Sequence, residues 1–273
     1  MSHNYRNYLL TEKFPLFWCA GCGNGIIIGS LARALARRGA DPKKVVVTTG
    51  IGCFGKADDY MATNTVHGTH GRALAFASGI KGANPDLTVI ALMGDGDCAT
   101  IGGNHFLHAS RRNIGVTAIV SNNLNYGMTG GQYSATTPHD EISSTSVYGN
   151  PEEGFDLCRV AAAAGASLVA RSTAYHVTIL DRMIEAGLDN PGFSLIEVMS
   201  SCPVQYGRRN AMPSPVDMMN HWRWRGLPKK GFEKLPADEK SDHFPIGILH
   251  QNPRGDFSSR YAAVQARAGG GET

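Results

Sequence analysis

Long apolar runs, a large net charge and low-complexity repeats are all missing from this chain. No stretch of 18 apolar residues occurs in its 273 residues, and the N-terminal segment MSHNYRNYLLTEKF holds no apolar run of signal-peptide length. The formal net charge is only +3, from 26 basic and 23 acidic side chains, so electrostatics give no reason to expect nucleic-acid binding. We therefore expect a cytoplasmic protein with neither a membrane nor a nucleic acid as a partner.

Charged residues are also scarce, whereas glycine is abundant. The charged fraction is 18%, below the usual level of about 25%, and there are 33 glycines without a Gly-X-Y period. Because 42% of the residues are hydrophobic, the glycines indicate neither collagen nor disorder. They predict tight turns or close approach of the backbone to a ligand. The six cysteines are, in a reducing compartment, more typical of metal or redox ligands than of disulfides.

Short β-branched runs alternate with helical patterns, which predicts an α/β fold with a doubly wound, mostly parallel sheet. The predicted strands are Val45–Thr49, Leu87–Met93, Val116–Ser121, Ser167–Arg171 and Phe193–Met199. The predicted helices lie at about 25–38, 72–83, 103–112, 155–164 and 174–186. Prolines become frequent and periodic segments few after residue 203. We therefore expect an α/β domain over residues 1–202 and an extended C-terminal arm over 203–273 that packs on the domain or on a partner subunit, with a partly ordered tail as the alternative.

A glycine-rich turn predicts a diphosphate and magnesium site. Gly94-Asp95-Gly96 follows a buried strand and precedes a helix, so its N–H groups can bind phosphate at a helix N-terminus. Asp95 can bind a cation, and Mg²⁺ is typically shared between carboxylates and phosphates. Asn122 and Asn123 end the next strand, separated from Gly96 by 25 residues (97–121). A lone Gly-Asp-Gly is often only a turn, but this spacing and strand context favour the functional reading.

Four of the cysteines predict a metal site beside it. Cys19-Ala-Gly-Cys22 is a close pair, while Cys53 and Cys202 each follow a predicted strand, as Asp95 does. Four thiolates can bind Zn²⁺ or an iron–sulfur cluster, and the single close pair makes a zinc ribbon the less favoured of the two. The remaining cysteines, 98 and 158, lie beside or within apolar helical windows and are expected to be small core residues.

The spacing from Gly94-Asp95-Gly96 to Asn122-Asn123 resembles the thiamine-diphosphate motif. The resemblance implies a thiamine-diphosphate-binding fold in which Mg²⁺ is bound by the Asp95 carboxylate, the Asn123 side chain and the carbonyl of Asn125. The residues that it implies against the diphosphate or thiazolium are Gly96, Asp97, Gly127 and Met128.

A wider set of motifs resembles the β subunit of the 2-oxoacid:ferredoxin oxidoreductases, most closely the 2-oxoglutarate type, from about residue 12 to His243-Phe-Pro-Ile-Gly247. These motifs are Phe14-Pro-Leu-Phe-Trp-Cys19-Ala-Gly-Cys22, Gly50-Ile-Gly-Cys53, His67-Gly-Thr-His70-Gly-Arg72, Gly94-Asp-Gly-Asp97, Ile101-Gly-Gly-Asn-His105, Tyr126-Gly-Met-Thr-Gly-Gly-Gln-Tyr-Ser134 and Cys202-Pro-Val-Gln-Tyr-Gly-Arg-Arg209. The resemblance implies one [4Fe–4S] cluster bound by Cys19, Cys22, Cys53 and Cys202. It also implies cofactor contacts from Ile51, Gly52, Cys53, Phe54 and His70. Lys56 could face a 2-oxoacid carboxylate, or be an exposed loop lysine.

The resemblance also implies a reaction and a set of partners. A 2-oxoacid would be decarboxylated to acyl-CoA and CO₂, with electrons passed through the cluster to ferredoxin, and the reverse reaction would fix CO₂. A glutamate that thiamine enzymes require would come from an α subunit, in an αβ or (αβ)₂ assembly, so the chain alone is expected to be inactive. The alternatives are a pyruvate-type substrate, a non-redox thiamine diphosphate decarboxylase or synthase, and a zinc-stabilised binding module.

Overall fold

A computed structural model describes residues 4–269, and its centre is an eight-stranded sheet. The strands are β1 (Val45–Thr49), β2 (Asn64–His67), β3 (Thr88–Gly94), β4 (Val116–Asn122), β5 (Leu168–Thr173), β6 (Ser194–Met199), β7 (Gly226–Pro228) and β8 (Phe244–Gln251). Their spatial order is β2-β1-β3-β4-β6-β5-β8-β7, and the first six are parallel to one another. The fold is the doubly wound, mostly parallel α/β sheet that the sequence predicts.

Helices cover both faces of this sheet. They are α1 (Asn24–Arg38), α2 (Ala73–Ala83), α3 (Gly103–Arg112), α4 (Leu157–Ala164), α5 (Val177–Asp189), α6 (Pro215–Arg225), the short α7 (Lys229–Phe232) and α8 (Phe257–Gly269). Helices α1 and α5 share one hydrophobic cluster with Ile90 and Leu92 of β3. Helices α2, α3 and α4 share the other with Val89, Ala91 and Met93 of the same strand. Alternate residues of one strand therefore serve two cores, which explains its near-continuous apolar sequence.

The segment after residue 202 joins the sheet. Strand β8 pairs antiparallel with β5, and β7 pairs with β8. A third hydrophobic cluster combines Leu124 and Met199 with Tyr206, Met218 and Trp222, so it crosses the predicted boundary. The division at residue 202 stays a prediction, and the segment after it contributes β7 and β8 to the sheet. Across residues 4–269, no helix is both long enough and apolar enough to cross a membrane.

The strand register brings the predicted site residues to one edge. Gly94 at the end of β3 pairs with Ser121 of β4, and Asn122 at the end of β4 pairs with Met199 of β6. Because neighbouring parallel strands end at the same level, the loops that follow them meet at the carboxyl edge of the sheet.

Candidate functional site

One cavity at the carboxyl edge collects residues from four loops. It is lined by Ile51, Gly52, Cys53, Phe54, His70, Gly94, Asp95, Gly96, Asp97, Ser121, Asn123, Asn125, Tyr126, Gly127, Met128 and Thr129. All of the residues that the sequence predicts to contact an organic cofactor or magnesium are in this lining. The hydrogen bonds and distances among these residues indicate what kind of ligand the cavity can bind.

Asp95 is the most deeply buried acid of the cavity, at 1% exposure. Its Oδ2 accepts hydrogen bonds from Ser134 Oγ (2.5 Å) and Thr136 Oγ1 (2.8 Å), while Oδ1 accepts a long bond of 3.4 Å from the Asn123 backbone N–H. Burial raises the pKa of Asp95 to about 6, and the bonds from Ser134 and Thr136 oppose that rise. A cation at Oδ1 would remove most of the cost of burying this charge.

Asn123 and Asn125 extend the oxygen set around Asp95 Oδ1. One terminal atom of the Asn123 amide lies 3.0 Å from Asp95 Oδ1 and 2.7 Å from the carbonyl oxygen of Asn125. With nitrogen at that position the amide donates to both acceptors. With oxygen there, after a half-turn of the amide, the Asn123 oxygen lies next to both Asp95 Oδ1 and the Asn125 carbonyl oxygen. Oxygen ligands grouped in this way fit a hard cation such as Mg²⁺.

His70 and Asp97 form a second polar group in the cavity. Asp97 Oδ1 lies 2.5 Å from His70 Nδ1 and accepts hydrogen bonds from the backbone N–H groups of Gly71 (2.7 Å) and Ile51 (3.2 Å). The carboxylate therefore ties three loops together and leaves His70 Nε2 available. Asp97 Oδ2 is buried without a partner among the described residues, so it could still accept a bond from a ligand.

Two of the cavity's glycines leave room for a ligand, and one does not. A Cβ added to Gly52 or Gly94 would meet no protein atom within 4 Å, whereas at Gly96 it would lie 2.3 Å from the Tyr126 ring. A side chain at Gly52 or Gly94 would therefore extend into open space at the cavity, while Gly96 is needed for packing against Tyr126. The glycine excess thus serves both ligand approach and the protein's own packing.

The four predicted cluster cysteines line an adjoining cavity. Cys19, Cys22, Cys53 and Cys202 surround it together with the aromatic side chains of residues 17 and 18. Trp18 Nε1 donates a 2.6 Å hydrogen bond to the Cys53 carbonyl, which fixes the N-terminal segment against the loop after β1. The two cavities share Cys53, Asn123, Gly127 and Met128 in their linings.

In the part of the chain that the structure describes, the four sulfurs are not grouped as closely as the ligands of a single zinc ion. Within residues 4–269, no three of the four sulfurs lie within 4.8 Å of one another. Two sulfurs bound to one zinc ion can be no more than about 4.6 Å apart, twice the Zn–S bond length. Burial, with a smaller contribution from the neighbouring thiols, raises the pKa of Cys22 to about 12 and that of Cys53 to about 11. Any metal bound at this cavity would replace these thiol protons, because metals bind the thiolate form of cysteine.

Lys56 lies outside this arrangement. Its ammonium forms a 2.6 Å ion pair with Asp59, which raises the pKa of Lys56, and both side chains are exposed. Lys56 is absent from both cavity linings as residues 4–269 form them. A substrate contact from Lys56 stays a prediction that would require this ion pair to open.

The sequence did not predict Ser134 and Thr136, whose hydroxyls bond to Asp95 Oδ2. Ser134 and Thr136 lie in the loop after β4, at 2% and 4% exposure. Ser134 ends a motif that the sequence singles out, but a hydroxyl pattern in a loop does not say which acceptor it binds. Cys98 and Cys158 are buried in the second hydrophobic cluster, as expected of small core residues.

Comparison with protein families gives one match, over a region that includes strands β2 to β5 and most of β6. Residues 50–198 match the family described as thiamine pyrophosphate enzyme, C-terminal TPP binding domain. The matched region contains Asp95, Asn123 and the whole loop between them.

Curated relatives extend the similarity to nearly the whole chain. A 2-oxoglutarate synthase subunit KorB from Methanothermobacter marburgensis is 42% identical over 266 residues, covering 97% of this chain and 93% of the relative. The subunit of the same name from Archaeoglobus fulgidus is 50% identical over 221 residues, covering 81% and 80%. A 2-oxoacid:ferredoxin oxidoreductase subunit beta from a Sulfolobus species is 38% identical, covering 86% and 81%.

A solved structure agrees with these relatives. The 2-oxoglutarate:ferredoxin oxidoreductase from Magnetococcus marinus, with 2-oxoglutarate, coenzyme A and succinyl-CoA bound, superposes with a TM-score of 0.86 at 28% identity. The superposition covers 97% of this chain and 91% of that one.

Proposed function

This chain belongs to the β subunits of the 2-oxoacid:ferredoxin oxidoreductases, within the thiamine pyrophosphate enzymes, and from that membership we propose how its site works. It converts a 2-oxoacid, with 2-oxoglutarate as the preferred substrate, and coenzyme A into acyl-CoA and CO₂. One proton and two electrons are released, and the electrons pass to ferredoxin. The keto carbon is oxidised from the ketone level to the carboxylic-acid level as the thioester forms. This is a two-electron oxidation, so it is balanced by two one-electron transfers to ferredoxin.

The observation that carries this proposal is the shared wall between the two cavities. Cys53, Asn123, Gly127 and Met128 line both the carboxylate-bearing cavity and the four-thiol cavity. A non-redox thiamine enzyme would need only the first of these. Placing an electron carrier beside the decarboxylating centre lets electrons leave one at a time.

Magnesium would be held by Asp95 Oδ1, the Asn123 side-chain oxygen and the Asn125 carbonyl, with phosphate oxygens completing the shell. Gly96 and Asp97 are the first two residues of the helical turn Gly96–Ile101. Their backbone N–H groups would bind the diphosphate. Thiamine diphosphate, when bound, supplies an electron sink for the carbon that loses CO₂. His70, fixed through Nδ1 by Asp97, would present Nε2 to the cofactor.

The four thiols would bind one [4Fe–4S] cluster as thiolates. Phe17 and Trp18 would shield it on one side, since both line its cavity. The α subunit would supply the pyrimidine-side domain and its glutamate, and ferredoxin would accept electrons at the cluster.

Anaerobic cofactor analysis of the purified chain and its α partner tests the proposal. We expect about four iron and four sulfide per β chain, bound thiamine diphosphate, and a broad visible absorbance that Cys22→Ala removes and Cys98→Ala keeps. Cys98 is the matched control because it is a buried thiol of the hydrophobic core. A colourless, iron-free protein that still binds thiamine diphosphate would support a non-redox enzyme, and stoichiometric zinc without thiamine diphosphate would support a binding module.

Substrate preference is tested with the same reconstituted complex. We expect faster ferredoxin reduction with 2-oxoglutarate than with pyruvate at equal coenzyme A. Faster pyruvate turnover would overturn the preference while leaving the reaction class intact.

A further inference from the structure

We propose that Ser134 and Thr136 are positioning residues that fix the Asp95 carboxylate so that only its Oδ1 faces the divalent cation. The proposal rests on the proposed function, because it assumes that Asp95 is a cation ligand. It adds the residues that set how tightly the cation binds, none of which touches the cation itself.

The two oxygens of Asp95 have different surroundings. Oδ2 lies 2.5 Å from Ser134 Oγ and 2.8 Å from Thr136 Oγ1, and both hydroxyls are buried. Oδ1 lies 3.0 Å from a terminal atom of the Asn123 amide, which in turn lies 2.7 Å from the Asn125 carbonyl oxygen. Hydrogen bonds to a carboxylate are charge-assisted and strong, so the two hydroxyls together resist rotation of the carboxylate about its Cβ–Cγ bond.

The hydroxyls are themselves held by the surrounding loop. The Ala135 N–H donates to Thr100 Oγ1 (2.9 Å), and the Phe155 N–H donates to the Ala135 carbonyl (2.7 Å). Thr137 Oγ1 donates to the Leu124 carbonyl at 2.6 Å, just beyond the end of β4. The Ser134–Thr137 turn is therefore held at Ala135 by neighbouring loops and at Thr137 by the end of β4, independently of any bond to Asp95.

Behind Thr136 the polar contacts continue into the sheet. Thr136 Oγ1 lies 3.0 Å from Asn122 Oδ1, and Asn122 Nδ2 donates to Glu197 Oε1 at 2.8 Å. Arg171 Nε donates to Glu197 Oε2 at 2.6 Å. Asn122 and Glu197 are each 2% exposed, so Thr136 packs against buried polar side chains. Its hydroxyl has a single proton, which can be donated either to Asp95 Oδ2 or to Asn122 Oδ1, and the contact with Asp95 is the shorter of the two.

Cation affinity should depend on this arrangement. Mg²⁺ requires near-ideal octahedral geometry, so a carboxylate that can rotate or offer both oxygens binds it less well. Removing a partner that orients a metal ligand typically costs about 10–100-fold in metal affinity. Thr136 is the sharper test position, since valine keeps its shape and serine keeps its hydroxyl.

The experiment titrates Mg²⁺ against the complex of this chain with its α partner at fixed thiamine diphosphate, and measures cofactor retained in equilibrium dialysis. We expect Thr136→Val and Ser134→Ala each to raise the Kd for Mg²⁺ about 10-fold or more, and Thr136→Ser to change it by less than about twofold. High Mg²⁺ should restore cofactor binding to Thr136→Val, which a general folding defect would not allow. The visible spectrum of the cluster should not change in any of these variants.

Two outcomes distinguish a failure of the positioning role from a failure of the proposed function. If Asp95→Asn abolishes Mg²⁺-dependent cofactor binding but Thr136→Val and Ser134→Ala bind Mg²⁺ as the wild type does, the positioning role is wrong and the proposed function stands. If the wild type needs no Mg²⁺ to retain the cofactor, or Asp95→Asn has no effect, the proposed cation site itself is wrong. Should Thr136→Val fail to fold, Ser134→Ala decides alone.

Discussion

At the scale of single residues, Asp95 shows how a binding role and stability conflict. Its carboxylate is 1% exposed, and it accepts hydrogen bonds from the uncharged Ser134 and Thr136 hydroxyls and the Asn123 backbone N–H. Burial raises that pKa to about 6, above about 3.9 for an aspartate in an unfolded chain. As pH rises from 4 through 6, the unfolded chain releases the proton before the folded one does, so the cofactor-free protein loses stability over that range.

Asp95→Asn should therefore stabilise the cofactor-free chain at pH 8, by about 1–3 kcal/mol, because each unit of pKa shift corresponds to about 1.36 kcal/mol. The gain should shrink toward zero at about pH 4, where the wild-type carboxyl is protonated in both states. Urea unfolding at several pH values measures it, with Asp86→Asn in an exposed turn as the control. A variant less stable than the wild type at pH 8 would contradict the burial argument.

The same residue also shows what sequence can and cannot predict about a site. The spacing from Asp95 to Asn123 is visible in the sequence because both follow strands, and parallel strands end at one edge. Ser134 and Thr136 lie 39 and 41 residues from Asp95, in a loop without periodicity. Their contact with Asp95 depends on how that loop folds back, which no local pattern records.

At the scale of elements, the strands with a clear local sequence pattern were predicted and those without one were not. Strand β1 has the predicted bounds, because Val45–Thr49 is β-branched throughout and buried. Strand β2 was not predicted because Asn64–His67 is short, polar and mostly exposed at the sheet edge. Strand β8 was not predicted because Pro245 and Gly247 interrupt its pattern and its partner β5 lies far back in the sequence.

A buried ion pair between Arg171 and Glu197 joins strands β5 and β6, and neither strand sequence predicts it. Arg171 Nε lies 2.6 Å from Glu197 Oε2, and Arg171 Nη2 lies 2.6 Å from Asp156 Oδ1. The Cys158 thiol donates to the same Glu197 carboxylate. Asp156, Cys158 and Glu197 are grouped closely enough to suggest a metal site. The Arg171 guanidinium already bonds to both carboxylates, so the group is better explained as an internal ion-pair network.

Arg171→Met should destabilise the chain by about 3–5 kcal/mol, because it leaves Glu197 as a buried charge without its cation. Arg38→Met is the matched control, since Arg38 pairs with Asp189 at the surface and exposed pairs contribute about 0–1 kcal/mol. Urea unfolding midpoints of the two variants measure the difference. Equal losses would mean that Glu197 is neutral or rehydrated in the variant.

At the scale of the whole molecule, the C-terminal segment and the cofactor edge depend on one another. The cluster of Leu124, Met199, Tyr206, Met218 and Trp222 packs residues from both sides of Cys202. Since Cys202 also lines the thiol cavity, the position of that cysteine depends on the packing of residues 203–225. The β5 edge would likewise lose its hydrogen-bonding partner without β8.

A fragment ending at residue 202 should therefore fail to unfold cooperatively, because it exposes Met199, Leu124 and the β5 edge together. A chain ending at residue 255 is the control, since it keeps β8 and loses Asp256, helix α8 and the last four residues of the sequence, and α8 has no buried side chain. Calorimetry should show one transition for the full chain and the longer fragment, at somewhat lower temperature for the fragment, and none for the shorter one. If the 1–202 fragment instead melts cooperatively near the full-length temperature, residues 1–202 form an autonomous domain and the segment after them is an accessory arm.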